Sequence, residues 1–137
     1  VKGVKAGLRN TDKFAPMIAS VSDRTCQKCD LRCLSLSDND MAAIVDALPP
    51  KNFEIGEGQI GLESIDLSYN EITDSGAQKL MFALAAGAAP HLKQINVHKT
   101  SITEVSRRQL AGLKLLRKGL SVLVDDEDKN CLLSREL

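Results

Sequence analysis

Leu62-Glu-Ser-Ile65-Asp-Leu67-Ser-Tyr-Asn70-Glu-Ile72 is the stretch on which the reading of this chain turns. Leu62, Ile65, Leu67 and Ile72 stand at positions 1, 4, 6 and 11 of it, and Asn70 at position 9. Positions 4 and 6 are separated by one polar residue, so they share a face of a short strand. An asparagine at position 9 suits a chain that must turn off that strand. Its amide can satisfy backbone groups that the turn leaves unpaired, and stacked turns can repeat the bond from coil to coil.

The pattern returns on both sides. Leu92-Lys-Gln-Ile95-Asn-Val97-His-Lys-Thr100-Ser-Ile102 repeats it 30 residues later, with Thr100 at position 9. Leu31-Arg-Cys-Leu34-Ser-Leu36-Ser-Asp-Asn39-Asp-Met41 fits it 31 residues earlier, with Asn39 at position 9. A weaker copy starts at Val1, with Val4 and Ala6 at positions 4 and 6. Residues 1–6, 31–36, 62–67 and 92–97 are therefore expected as adjacent parallel strands. Leu34, Leu36, Ile65, Leu67, Ile95 and Val97 should be buried, and the apolar run 120–124 should close the sheet. Thr100 interrupts the asparagine row, so the last full repeat should be less tightly tied.

Between the strands the apolar period becomes helical. Phe14, Met17, Ile18 and Val21 fall at i, i+3, i+4 and i+7, as do Met41, Ile44, Val45 and Leu48, and Ala77, Leu80, Met81 and Leu84. Asp74 and Ser75 read as caps of the third helix and Gly87 as its stop, while Pro49-Pro50 ends the second. A fourth helix is expected over 103–118, with Leu110, Leu113 and Leu116 inward and Gly119 ending it.

The stretch 62–97, with Ile72-Thr-Asp-Ser-Gly76-Ala77 opening its helix, resembles the ribonuclease-inhibitor-like subfamily of leucine-rich repeats, whose consensus is L-x-x-L-x-L-x-x-N-x-L. The resemblance covers residues 31–120 well and the rest loosely. It implies an α/β leucine-rich-repeat solenoid, a short horseshoe with a parallel sheet on the concave face and helices on the convex face. Residues 1–137 would form one domain, with repeats near 1–30, 31–61, 62–91 and 92–119, a closing strand at 120–124 and an acidic tail over 125–137. The loop 51–61 reads as a small insertion. The subfamily includes protein inhibitors, GTPase-activating proteins, actin-filament capping proteins and receptor sensors. The resemblance thus implies a non-catalytic scaffold that binds a protein. The alternatives are a GTPase-activating regulator of the Ran type and a docking component of a cytoskeletal or other large assembly.

Composition narrows the partners. The 137 residues carry 18 Lys plus Arg and 18 Asp plus Glu, so no net field draws the chain to nucleic acid or anionic lipid. Aromatics are 3%, too few for a base-stacking surface. No apolar run approaches the ~18 residues that span a bilayer. Neither nucleic acid nor a membrane is expected as a partner. The chain starts at Val1 with no signal-peptide pattern, which reads as a boundary within a longer protein or a subunit of a larger assembly. The repeat type favours an intracellular, cytoplasmic setting with reduced thiols.

Chemistry-bearing residues are few. Cys26-Gln-Lys-Cys29 with Cys33 invites a zinc reading, which needs a fourth ligand. His98 would stand two strands away and four positions along, about 13 Å in the strand direction alone. Cys131 is not placed by the sequence. A redox pair usually sits at a helix N-terminus, whereas this pair leads into a strand. The thiols are expected to be free and structural, with no metal and no cofactor. His91 and His98 have no nucleophile or carboxylate at hydrogen-bond spacing, so no catalytic group is assigned. The partner-binding candidates lie on the exposed strand face: Arg32, Glu63, Asp66, Tyr69, Lys93, Asn96, His98 and Lys99. Tyr69 is central, and Tyr and Arg dominate interface energetics. The competing reading is that Arg32, Glu63 and Lys93 merely pair along the sheet.

Overall fold

The computed structural model describes residues 11–124. The strand expected at 1–6, the tail 125–137 and Cys131 lie outside the described residues. Four helix–strand units follow one another: α1 (Thr11–Ser22), β1 (Lys28–Asp30), α2 (Asp38–Ala47), β2 (Ser64–Asp66), α3 (Asp74–Ala85), β3 (Gln94–Asn96), α4 (Glu104–Leu116) and β4 (Ser121–Leu123). The strands form one parallel sheet in sequence order, β1-β2-β3-β4. Cys29, Ile65, Ile95 and Val122 are in register at its centre. Cys29, Ile65 and Ile95 point into an aliphatic core shared with Met41, Ile44, Leu80, Leu84 and Leu110 of the helices. The other sheet face stays open.

All six residues expected to be buried are buried: Leu34, Leu36, Ile65, Leu67, Ile95 and Val97. The expected strand 31–36 is nevertheless a turn. The register pairs Lys28 with Ser64 and Asp30 with Asp66, so Leu31 occupies position 6 of its coil, not position 1. Cys33 and Ser35 both have φ of +57°, outside the range of a strand. The reason for the slip is chemical likeness. Leu31, Leu34 and Leu36 mimic positions 1, 4 and 6, while positions 1 and 4 are held by Cys26 and Cys29, small buried apolar residues in their own right.

Position 8 takes the left-handed conformation in every described coil, with φ of +57° at Cys33, +59° at Tyr69 and +56° at Lys99. This bend limits each strand to three residues. The next turn is tied by Asn70, which is buried. Its Oδ1 accepts from the Leu34 and Leu36 amides, each at 3.0 Å. Its Nδ2 donates to the carbonyls of Leu31, Leu67 and Ser68 at 2.8, 3.0 and 3.2 Å. The expected coil-to-coil bond is therefore present at Asn70. Asn39 does not extend it, because the slip puts Asn39 in the first turn of α2. Thr100 donates within its own coil, to the Val97 carbonyl at 2.9 Å.

The helices carry a second relay. The N-caps are Ser37, Thr73 and Thr103, each followed by an acid. Thr73, not Asp74 or Ser75, caps α3, its hydroxyl accepting from the Ser75 amide at 3.3 Å. Asp38 reaches forward to the next unit. It accepts from the Thr73 amide at 2.8 Å, the Gly76 amide at 3.1 Å and the Thr73 hydroxyl. Asp74 repeats this on Thr103, accepting from its amide at 2.8 Å and its hydroxyl at 2.7 Å. Gly87 and Gly119, with φ of +106° and +91°, follow α3 and α4 as expected. Leu116 points outward at 69% exposed. Each i+3 step falls about 60° short of a full turn, so two such steps from Leu110 leave the buried stripe. The loop 51–61 is anchored: its Phe53 packs edge-on against His91 at 6.1 Å and under the Arg24 guanidinium at 5.5 Å. Arg24 also caps α1 and α2, donating to the Val21 and Ala47 carbonyls at 2.9 Å each.

Candidate interaction surface on the open sheet face

The open face is polar because alternate strand residues turn away from the core. Lys28, Glu63, Ser64, Asp66, Lys93, Gln94 and Asn96 line a shallow open groove of about 370 Å³ across the first three strands. Four of the sequence candidates, Glu63, Asp66, Lys93 and Asn96, thus come together in one depression. Lys28, Ser64 and Gln94 were missed, and so was Asp30 beside the groove. The five-residue slip hid Lys28 and Asp30, which it left ahead of the expected strand 31–36, whereas Ser64 and Gln94 lie on strands expected in their true register. The N-caps held the signal that prevents the slip: Ser37-Asp38, Thr73-Asp74 and Thr103-Glu104 align directly, with 36 and then 30 residues between them.

Charges on this face are arranged in two tiers. At the amino ends of the strands Lys93, largely open to solvent, approaches the half-buried Glu63 at 3.8 Å. At the carboxyl ends Arg32 grips Asp30 with two bonds, at 3.0 and 3.1 Å, and stands 3.7 Å from Asp66. The hydrogen bond from Arg32 holds the Asp30 carboxyl below the ordinary carboxylate range. The chain Arg32–Glu63–Lys93 is therefore broken. Lys93 does pair with Glu63, but Arg32 sits at the other end of its strand and pairs with aspartates.

Position 5 is held by local bonds. The Oδ1 atoms of Asp30, Asp66 and Asn96 accept from the amides two residues on, those of Arg32, Ser68 and His98, at 3.2, 3.0 and 3.0 Å. Asp66 also accepts from the Ser68 hydroxyl at 2.6 Å. These side chains are preset before any partner arrives. Tyr69 projects beyond them, 50% exposed, from the left-handed bend. Its amide donates to the His98 carbonyl at 2.9 Å, which sets it beside His98 and Lys99, both half-buried.

The remaining chemistry is sparse. Cys26, Cys29 and Cys33 are free thiols, the first two buried and the third exposed. Burial, with the neighbouring Cys26 adding to it, pushes the Cys29 thiol far up, so it stays protonated at any ordinary pH. Among the described residues no three of His, Cys, Asp and Glu cluster as a metal site would require. No described helix is long and apolar enough to cross a membrane.

Among curated proteins none matches this chain. Residues 62–81, from the approach to β2 through the first two turns of α3, match the family model described as Leucine Rich repeat.

Proposed function

We propose that this chain is a non-catalytic leucine-rich-repeat solenoid that docks a protein partner on its concave sheet face. Leucine-rich repeats commonly mediate contacts between proteins. The observation that carries the reading is the groove of Lys28, Glu63, Ser64, Asp66, Lys93, Gln94 and Asn96, left open beside an exposed Tyr69. Its position-5 side chains are already fixed by their own turns, so little ordering entropy is lost on binding. Arg32, His98 and Lys99 form the carboxyl-end rim. The free thiols suit an intracellular site, where they stay reduced.

A second reading takes the helical side. Phe82 is 72% exposed on α3, and Leu115 and Leu116 are 85% and 69% exposed on α4. Such apolar exposure would also serve a docking block in a larger assembly. One experiment separates the two. The immobilised chain is used to capture a stoichiometric partner, and affinity is then measured for Tyr69→Ala and for the double reversal Arg107→Glu, Arg108→Glu. On the sheet-face reading Tyr69→Ala weakens binding by about 2 kcal/mol or more, as interface centres do, and the reversal leaves it intact. The opposite outcome assigns the partner to the helices.

A further inference from the structure

On the helical side an open hollow of about 430 Å³ lies between α2 and α3. Ala42, Val45 and Asp46 line it from α2, and Lys79, Phe82 and Ala83 from α3. Each set is spaced i, i+3 and i+4, so each is one stripe of its helix. Val45 and Ala83 are half-buried against the core and keep the floor low. Phe82 stands out of that floor, 72% exposed. Burying such a ring would recover hydrophobic free energy. Binding on the sheet face uses none of these groups.

Charge says what covers the hollow. It carries one acid, Asp46, and one base, Lys79, both exposed and on opposite helices. Among the described residues neither makes an ion pair, although Asp38 attracts Lys79 from farther off. The N-caps Ser37 and Thr73 align the two helices, with Asp38 bound to the start of α3. Asp46 is therefore level with Phe82 across the hollow, and Lys79 stands one turn nearer the amino end. A two-fold axis lying in an interface and crossing the line between an acid and a base exchanges the two, so each meets its opposite on the other copy. This face is thus complementary to itself. Lys79 of each copy meets Asp46 of the other, and the two Phe82 rings come together beside the axis, over the small floor residues. We propose that the α2–α3 face joins two copies of this chain as a two-fold dimer. Standard interfaces use roughly 20–30 residues a side, so a patch of this size makes a weak, transient one.

The test follows the full chain by sedimentation equilibrium from about 10 µM to about 1 mM, the range suited to a small interface. The protein is kept reduced, so that the exposed Cys33 cannot crosslink copies. The mean mass should rise with concentration from that of one chain toward that of two. Phe82→Ser alters an exposed position and should raise the dimer Kd tenfold or more. Asp46→Lys and Lys79→Asp each set like charges face to face at both ends of the interface, and each should abolish association. The double reversal, Asp46→Lys with Lys79→Asp, restores opposite charges across the axis and should restore the dimer. Tyr69→Ala, on the sheet face, should leave the dimer unchanged, so the proposal stands or falls apart from the sheet-face reading. The mass of one chain at every concentration overturns it. So does association that survives Phe82→Ser, which would place the contact elsewhere, or a folded double reversal that stays monomeric. Should the charge variants fail to fold, Phe82→Ser decides alone.

Discussion

Asn70 shows how much one side chain can organise. Its amide satisfies two donors and three acceptors of the turns around it, all out of reach of water. Asn70→Ala leaves several of them bare and should cost about 2–4 kcal/mol in urea unfolding, since each unsatisfied buried group costs about 1–3. Leu67→Ala, which empties a fully buried site, should cost about 2–5 kcal/mol. An Asn70→Ala protein with the wild-type midpoint would refute the tie between coils. Asn70 was legible because its residue type and position name its task. Position 8 was not, since Cys33, Tyr69 and Lys99 share no property that announces a left-handed bend. Asparagine tolerates that conformation better than most residues. Cys33 is exposed and loses little packing on replacement, so Cys33→Asn should stabilise the chain by up to about 1 kcal/mol. A lower midpoint in that variant would mean that the thiol is held by more than its backbone.

Among the elements, the aspartate relay links the starts of α2, α3 and α4 in turn. Burial works against the Asp38 carboxylate, but the Thr73 hydroxyl and the Thr73 and Gly76 amides outweigh it, and its pKa falls below the ordinary 3.8. A carboxyl whose pKa is lower folded than unfolded adds stability above its unfolded value. That stability drains as pH falls through the folded value. Asp38→Asn should therefore flatten the loss of stability below about pH 4, while costing about 1 kcal/mol at pH 7 because the site is largely exposed. A parallel acid limb in wild type and variant would remove Asp38 from the account. At this scale the sequence was partly misleading. Three of the helix stripes and the order of elements were readable from periodicity. The first strand was not, because apolar spacing at positions 1, 4 and 6 recurs by chance five residues late. The caps, which depend on local hydrogen bonding and not on burial, kept the true register.

The whole molecule is a row of units, each resting on its neighbours, with the sheet bonds running along the row. That the chain stacks parallel strands with helices between them was legible from the spacing alone. The grouping of the sheet-face candidates was only partly so. Glu63, Asp66, Lys93 and Asn96 emerge together, but Arg32 joins a different tier from the one its supposed position implied.

The direction of those sheet bonds has a mechanical consequence. Strands of three residues lie across the row, so a force that draws α1 and β4 apart loads one seam at a time and does not shear many bonds at once. Tethered by residues 11 and 124 in an optical trap, the protein should open at low force in successive steps, each releasing roughly one helix–strand unit. A single high-force rupture would contradict this. A tethered chain of this build gives way as a compliant spring, lengthening by units while the seams not yet opened keep their fold.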